Sequence, residues 1–436
     1  MDVEKLRERI YSIDFLRGVV MMIMLLDHTR DFVHHGAFLL DPTDPATTTV
    51  PLFFTRWITH FCAPTFVFLS GVSIYLQKMN GKSTGELSRF LFTRGLWLIV
   101  LEFTLVRTGF VFNLDYTFFG MAQVIWVIGL SMIVMAALVY LPVWIVGSFG
   151  VVMIFLHNLL DKFQVPPQTA FGGNPPPDVS QFLWLILHQQ GVVPLLGDSN
   201  AFVAYPLIPW VGVMAAGYAL GVVYHWDPSR RRRLLLGLGV AATILFVVIR
   251  ASNLYGDPNP WTTRAEFAES VTNGGPAAGN PNTGDPMERI ANIQLSEPAF
   301  TLLSFLNAHK YPPSLLFLLM TLGPAMIVLA LTDQMRGQAI LQRVAIHFGR
   351  VPLFFYLLQF PLAHAMGILL SLAAGKDIGY FFMNMPQSFE AAPPDHGFSL
   401  PVVYAAWIAG LIILYPLCWW WGNLKRRNKH WALSYL

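Results

Sequence analysis

The chain has 436 residues, 55% of them hydrophobic and only 12% charged, with a mean hydropathy of +0.52 and a formal net charge of +3. Soluble domains carry roughly 25% charged residues. A soluble globular protein is therefore excluded, no nucleic-acid partner is expected, and the lipid bilayer is the expected surrounding.

Apolar runs near 20 residues read as spanning helices, and the chain holds about ten of them. They cover 16–33, 52–77, 88–110, 118–141, 142–160, 203–224, 233–254, 313–331, 344–372 and 400–423. The expected fold class is all-α: a polytopic integral membrane protein forming a single domain over 1–436, with a long outer loop at 251–312. The run 182–196 is short and broken by Gly191 and Pro194, so it suits a re-entrant or interfacial piece, as does 299–308. No small-residue cleavage site follows the first run, which is expected to be a retained helix. Cys62 and Cys418 fall in different runs near opposite faces, which argues against a disulfide between them.

Lys and Arg alternate between loops. They mark the N-terminal segment (Lys5, Arg7, Arg9), the second loop (Lys78, Lys82), the sixth (Arg230 to Arg233), the eighth (Arg336, Arg343) and the tail (Lys425, Arg426, Arg427, Lys429). The first loop, 36–51, has none. By the positive-inside rule both termini are cytoplasmic. Within the outer loop, 256–286 is crowded with Gly, Pro and Asn and reads as irregular.

Ionisable side chains inside apolar helices are expensive and mark functional sites by default. The stretch 12–71 spends the most: Asp14, Arg17, Asp27, His28, Arg30, His34, His35 and His60. At 1.5 Å rise per residue, His28 stands roughly 18 Å up from the inner face and His60 roughly 12 Å down from the outer one. Glu102, Gln359 and His364 fall at similar depth. A histidine is suited to general-base work near neutral pH, so His28, His34, His35 and His60 are the candidate catalytic residues, with Asp27 as an orienting carboxylate. The competing reading for each is a histidine satisfied by a helix neighbour or by the interface. Arg30, Glu102 and Lys310 are candidate substrate contacts, with an ion-pair role the alternative for Glu102. Arg17, oriented by Asp14 one turn earlier, joins Arg94 and Arg350 around the inner mouth, where guanidinium groups suit phosphate. Topology alone would also place basic residues there. No close HxxxH or carboxylate–histidine set stands on one helix face, so no metal is expected.

Ser12-Ile-Asp-Phe-Leu-Arg-Gly18, followed by an apolar run ending at His28, resembles the transmembrane acyltransferases. The nearest resemblance is to the bacterial branch of the heparan-α-glucosaminide N-acetyltransferase-like family. His60-Phe-Cys-Ala-Pro-Thr-Phe-Val-Phe-Leu-Ser-Gly71, Tyr205-Pro-Leu-Ile-Pro-Trp-Val-Gly212, Lys310-Tyr-Pro-Pro-Ser-Leu-Leu and 349–361 agree with it in turn, whereas the Gly/Pro-rich loop does not. The resemblance implies transfer of an acyl group, acetyl above all, from cytoplasmic acetyl-CoA or another acyl-CoA to a hydroxyl or amine of a sugar-like acceptor on the outer side. It implies a place in the cytoplasmic (inner) membrane, and a homodimer is compatible with it. The wider superfamily puts a histidine eleven residues after the helix-one arginine, as His28 stands from Arg17. The heparan enzyme has its histidine further on, where His34 and His35 stand. Where relatives often carry Tyr-x-x-His, this chain has Tyr356-Leu-Leu-Gln359. The alternative class is a transporter of a small polar or lipid-linked substrate, with the polar layer as its binding site.

Overall fold

The computed structural model describes residues 10–37, 41–195, 197–273, 290–337, 339–428, 430 and 433. The N-terminal Lys5, Arg7 and Arg9, the 274–286 part of the outer loop, Lys429 and most of the closing residues lie outside that set. The protein is mostly helical, 70% helix against 4% strand. Its helices are α1 (Tyr11–Val33), α2 (Val50–Trp57), α3 (Cys62–Met79), α4 (Thr84–Leu101), α5 (Arg107–Val111), α6 (Val124–Leu138), α7 (Val143–Leu156), α8 (Pro167–Ala170), α9 (Val179–Leu187), α10 (Trp210–Leu220), α11 (Pro228–Ser252) and α12 (Arg264–Thr272). They continue with α13 (Glu297–Leu306), α14 (Leu315–Thr332), α15 (Ile340–Gly349), α16 (Pro352–Ala373), α17 (Met385–Ala391) and α18 (Leu400–Arg427).

Among the described residues, six segments are long and apolar enough to cross a membrane: Val50–Met79, Val143–Leu160, Pro228–Ser252, Leu315–Thr332, Pro352–Ala373 and Leu400–Arg427. The four other expected spans are helical but depart from that pattern for identifiable reasons. α1 carries Asp14, Arg17, Asp27, Arg30 and Asp31. The segment 84–111 is interrupted by a π turn at Glu102–Val106. α6 has 15 residues, and Trp210–His225 is also short.

The charged helix is the hub. α1 packs against α3, α14, α15, α16 and α18, so its ionisable side chains face protein. The approach to α15 is close: a Cβ at Gly18 would overlap the Ala345 carbonyl, and one at Gly349 the Asp14 carbonyl. Small residues permit such contact between membrane helices. The same device joins α3 to α10 at Gly71 and Gly217.

Two expected helices are corrected. The run 344–372 is two helices, because Pro352 has no N–H for the helical ladder and disfavours helical backbone before it; the chain turns at Arg350 and Val351. The run 118–141 begins as a strand. Among the described residues a three-stranded sheet joins β1 (Phe118–Ala122), β2 (Gly191–Pro194) and β3 (Asn200–Val203) in the order β1-β3-β2, with β1 parallel and β2 antiparallel to β3. The all-α expectation thus fails at this one small layer, since a short apolar run does not distinguish a buried strand from a helix. Met121 pairs with Phe202 and Ala122 with Val203. Side chains alternate across a sheet. Ala122 and Val203 belong to a satellite core with Val165, Ala170 and Leu185, leaving Met121 and Phe202 for the opposite face.

Candidate active site: a polar cavity between α1, α2 and the sheet

Near the end of α1, Asp27 is three and four residues from Arg30 and Asp31, and His28 three from Asp31, spacings that share a helix face. Arg30 donates to Asp27 Oδ1 at 3.0 Å and to Asp31 Oδ1 at 2.6 Å. His28 Nδ1 lies 3.5 Å from Asp31 Oδ2. From α2, Arg56 donates to Asp27 Oδ2. Each carboxylate therefore meets a guanidinium, as buried charge requires. Arg56 escaped the sequence reading, although the rule that singles out the histidines applies equally to an arginine in an apolar run.

This cluster borders a cavity of about 220 Å³. Asp27, His28 and Asp31 form one wall, and Arg56, Thr59 and Cys62 another. The sheet closes a third side with Met121 and Phe202 and, two residues further along each strand's path, Gln123 and Ala204. Gln190, Tyr205, Lys310, Tyr311 and Tyr356 also border it. The His28 ring packs on Phe360, with centroids 4.1 Å apart, and Tyr356 packs on the same ring at 5.4 Å. Tyr205, Tyr311 and Tyr356 were legible as parts of motifs, but nothing in the sequence aimed them at one point.

The described residues bordering the cavity do not include His34, His35 or His60. His60 is buried with its ring 5.3 Å from Phe317. The His34 and His35 rings lie tilted against each other, centroids 4.3 Å apart, just beyond α1. His34 pairs with Phe398 as an isolated bridge, and its Nδ1 accepts the Gly36 N–H at 3.1 Å. His35 Nδ1 lies 3.1 Å from the Phe398 carbonyl. Burial, then His35, Arg30 and His396, press the His34 pKa down to about 4, so its imidazole is neutral at pH 7.

Asp14, Arg17 and Arg350 gather at the opposite end of α1. Arg17 Nη1 lies 3.9 Å from Asp14, and Arg350 Nε 4.0 Å from it. Arg17 also donates to the Leu69 carbonyl at 3.1 Å and to Ser73 Oγ on α3. Arg94 lies on α4 with its guanidinium 5.9 Å from the Phe90 ring. Glu102 stands at the π turn, where Oε2 accepts the Trp126 N–H at 2.9 Å. A carboxylate at a helix N-terminus meets unpaired amides and the positive end of the helix dipole, so Glu102 caps α6. It borders a void adjoining the cavity through Phe110, Met121 and Gln123. Gln359 donates to Met24 Sδ at 3.0 Å, and His364 stacks between Phe32 and Phe112 at 4.6 and 4.1 Å. Among the described residues no group of three or more His, Cys, Asp and Glu is placed to hold a metal ion.

An imidazole beside a carboxylate can accept a proton, and tyrosine and cationic donors across the same cavity can stabilise negative charge. No curated protein matches the chain. The family model described as heparan-alpha-glucosaminide N-acetyltransferase, catalytic, matches residues 9–252, which include α1, α2, β1 and β3 but stop before Lys310, Tyr311 and Tyr356. With its apolar helices, the chain is a multi-pass membrane protein with an acetyltransferase-like function, and it belongs to the heparan-α-glucosaminide N-acetyltransferase-like family.

Proposed function

We propose that the protein transfers an acyl group, acetyl above all, from a cytoplasmic acyl-CoA to a hydroxyl or amine of a sugar-like acceptor reaching the cavity from the outer side. The observation that carries this reading is His28, half-buried beside Asp31 on the wall of a polar cavity within the bundle. His28 takes the acceptor's proton as its oxygen or nitrogen attacks the thioester carbon. The carbon–sulfur bond then breaks, its electron pair leaves on sulfur, and the proton held by His28 passes to that sulfur, giving acylated acceptor and free CoA. Asp31 orients the imidazole. Asp27 holds Arg56 and Arg30 in place, which suits it to shaping the cavity.

In this reading all ten helical segments cross the bilayer of the cytoplasmic membrane, both termini are cytoplasmic, and 1–436 forms one domain. Arg17 and Arg350 then lie at the inner mouth, with Arg94 on a neighbouring helix, and Arg350 is placed to meet CoA phosphates. Arg17 to His28 spans roughly 16 Å along α1, a distance that the pantetheine arm of CoA is suited to bridge. Acyl-CoA binding to purified wild type and to Arg17→Ala tests the donor, and transfer of radiolabelled acetyl tests the chemistry. Wild type that binds no acyl-CoA sinks the proposal, and counterflow of an unmodified substrate in proteoliposomes would assign transport in its place.

A further inference from the structure

The turn between α13 and α14 is held from several sides. Asp257 Oδ2 accepts the His309 N–H and the Ser314 hydroxyl, both at 2.8 Å. His157 Nε2 lies 2.9 Å from the Pro313 carbonyl, and Asn158 Oδ1 accepts the Leu315 N–H at 2.8 Å. Asn259 Nδ2 faces His309 Nδ1 at 3.0 Å. With Nδ1 accepting that amide proton, Nε2–H donates to the Tyr311 carbonyl at 2.8 Å. These contacts fix the position from which Lys310 and Tyr311 meet the cavity.

The environment of the Tyr311 oxygen is unusual for a phenol. Arg56 Nη2 points at it from 3.5 Å, and Tyr205 and Lys310 interact with the same hydroxyl. The Lys310 ammonium stands 5.0 Å from the Tyr311 ring centroid, and Tyr205 packs edge-on to that ring at 5.2 Å. Among the described residues no carboxylate lies within 4.0 Å of Lys310 Nζ. With the Arg56 guanidinium donating to its oxygen and Lys310 and Tyr205 close by, the hydroxyl has its own proton left to give. A hydroxyl that accepts from charged donors is polarised into a stronger donor, the arrangement by which a tyrosine serves an oxyanion hole. Burial raises the pKa of this hydroxyl, but Lys310 and Arg56 outweigh it and hold the value below the usual tyrosine range.

We propose that the Tyr311 hydroxyl is a catalytic residue that donates its hydrogen bond to the thioester carbonyl oxygen as negative charge develops there, polarised for that task by Lys310, Arg56 and Tyr205. The inference rests on the acyl-transfer reading above. It adds to His28, which handles the acceptor's proton, a donor on another wall of the cavity. The ionisable groups facing Tyr311 are Lys310 on its own turn, Tyr205 after β3 and Arg56 on α2. Asp27 and Asp31 on α1 act through Arg56, Tyr356 on α16 acts through Tyr205, and His28 shares the cavity.

Tyr311→Phe keeps the ring and removes the donor. It is expected to lower kcat about 100-fold, with KM for acyl-CoA changed by less than about 2-fold. Because the donor must stay protonated, activity should fall at alkaline pH, and Lys310→Met should move that limb to higher pH by removing the charge that favours the phenolate. Tyrosinate absorbance, wild type minus Tyr311→Phe, should show a group ionising below pH 10, the usual tyrosine value. Wild type that transfers while Tyr311→Phe keeps its kcat overturns this inference alone. So does an alkaline limb that Lys310→Met leaves in place, or a difference spectrum ionising at or above the usual value. Wild type that transfers nothing overturns the acyl-transfer reading and this inference with it.

Discussion

Two histidine-bearing stretches lie within one turn of each other at the end of α1, and the fold treats them in opposite ways. Asp27 to Asp31 meets Arg56 and opens on the cavity, with the His28 ring on its wall. His34 is buried beneath the 393–399 segment, whose Phe398 carbonyl lies 3.1 Å from Nδ1 of the exposed His35. Gly397 sits there at φ +65°, and a Cβ on it would come within 2.6 Å of the His34 and His35 backbone. Lys376 ties that segment down by donating to the Asp395 and Gly397 carbonyls at 2.6 and 2.7 Å. Residue type is shared between the two stretches; access and charged partners are not. A histidine's chemistry is set by what closes around it, and here the closure comes from residues hundreds of positions away.

The contrast can be broken at either stretch. The largest expected effect is at His28: replacement by Asn should lower kcat at least about 100-fold with folding intact. Activity within a few-fold of wild type would move the base elsewhere. Arg56→Met leaves Asp27 with Arg30 alone and should destabilise the protein by about 3 kcal/mol. Thermal unfolding in detergent measures this, and restoration by a second Asp27→Asn change would identify the pair as the cause. At the other stretch, Gly397→Ala imposes a left-handed backbone and a steric overlap, so about 1–3 kcal/mol should be lost. An unchanged Tm would show that the segment does not close on His34.

The smallest effect sharpens the contrast through pH. His34 is held at a pKa of about 4, below the ordinary histidine value of 6.5. The unfolded chain therefore takes up the proton first as pH falls. The stabilisation from neutral His34 is complete above 6.5 and is lost as pH drops from there through about 4. His34→Asn, which keeps an acceptor for the Gly36 N–H, should flatten the Tm profile across that window while leaving activity at pH 7 near wild type. A profile parallel to wild type would remove His34 as the titrating group.

Much of the fold was legible because the bilayer leaves few choices. Backbone groups in hydrocarbon must be satisfied within the segment, so each long apolar run announced a helix, and Pro228–Ser252, Leu315–Thr332 and Leu400–Arg427 lie close to where hydropathy put them. The misreadings fall where that constraint is weak. Phe118–Ala122 is a strand because Asn200–Val203 pairs with it, and that pairing is invisible from either run alone. Glu102 reads as a costly embedded acid, but its partner, the first turn of α6, is supplied by another helix.

For the site, the sequence by itself determined that α1 carries charges it cannot leave in lipid, and helical spacing sets Asp27 beside Arg30 and Asp31, and His28 beside Asp31. It also marked Arg17 and Asp14 as neighbours one turn apart. Only the tertiary structure decided that Arg56 neutralises Asp27, that the Lys310–Tyr311 turn comes to the same cavity, and that His34 and His35 turn away from it. The reason is physical. Helical periodicity fixes contacts over three or four residues, whereas a cavity is defined by side chains from segments whose separation in sequence carries no information about their separation in space.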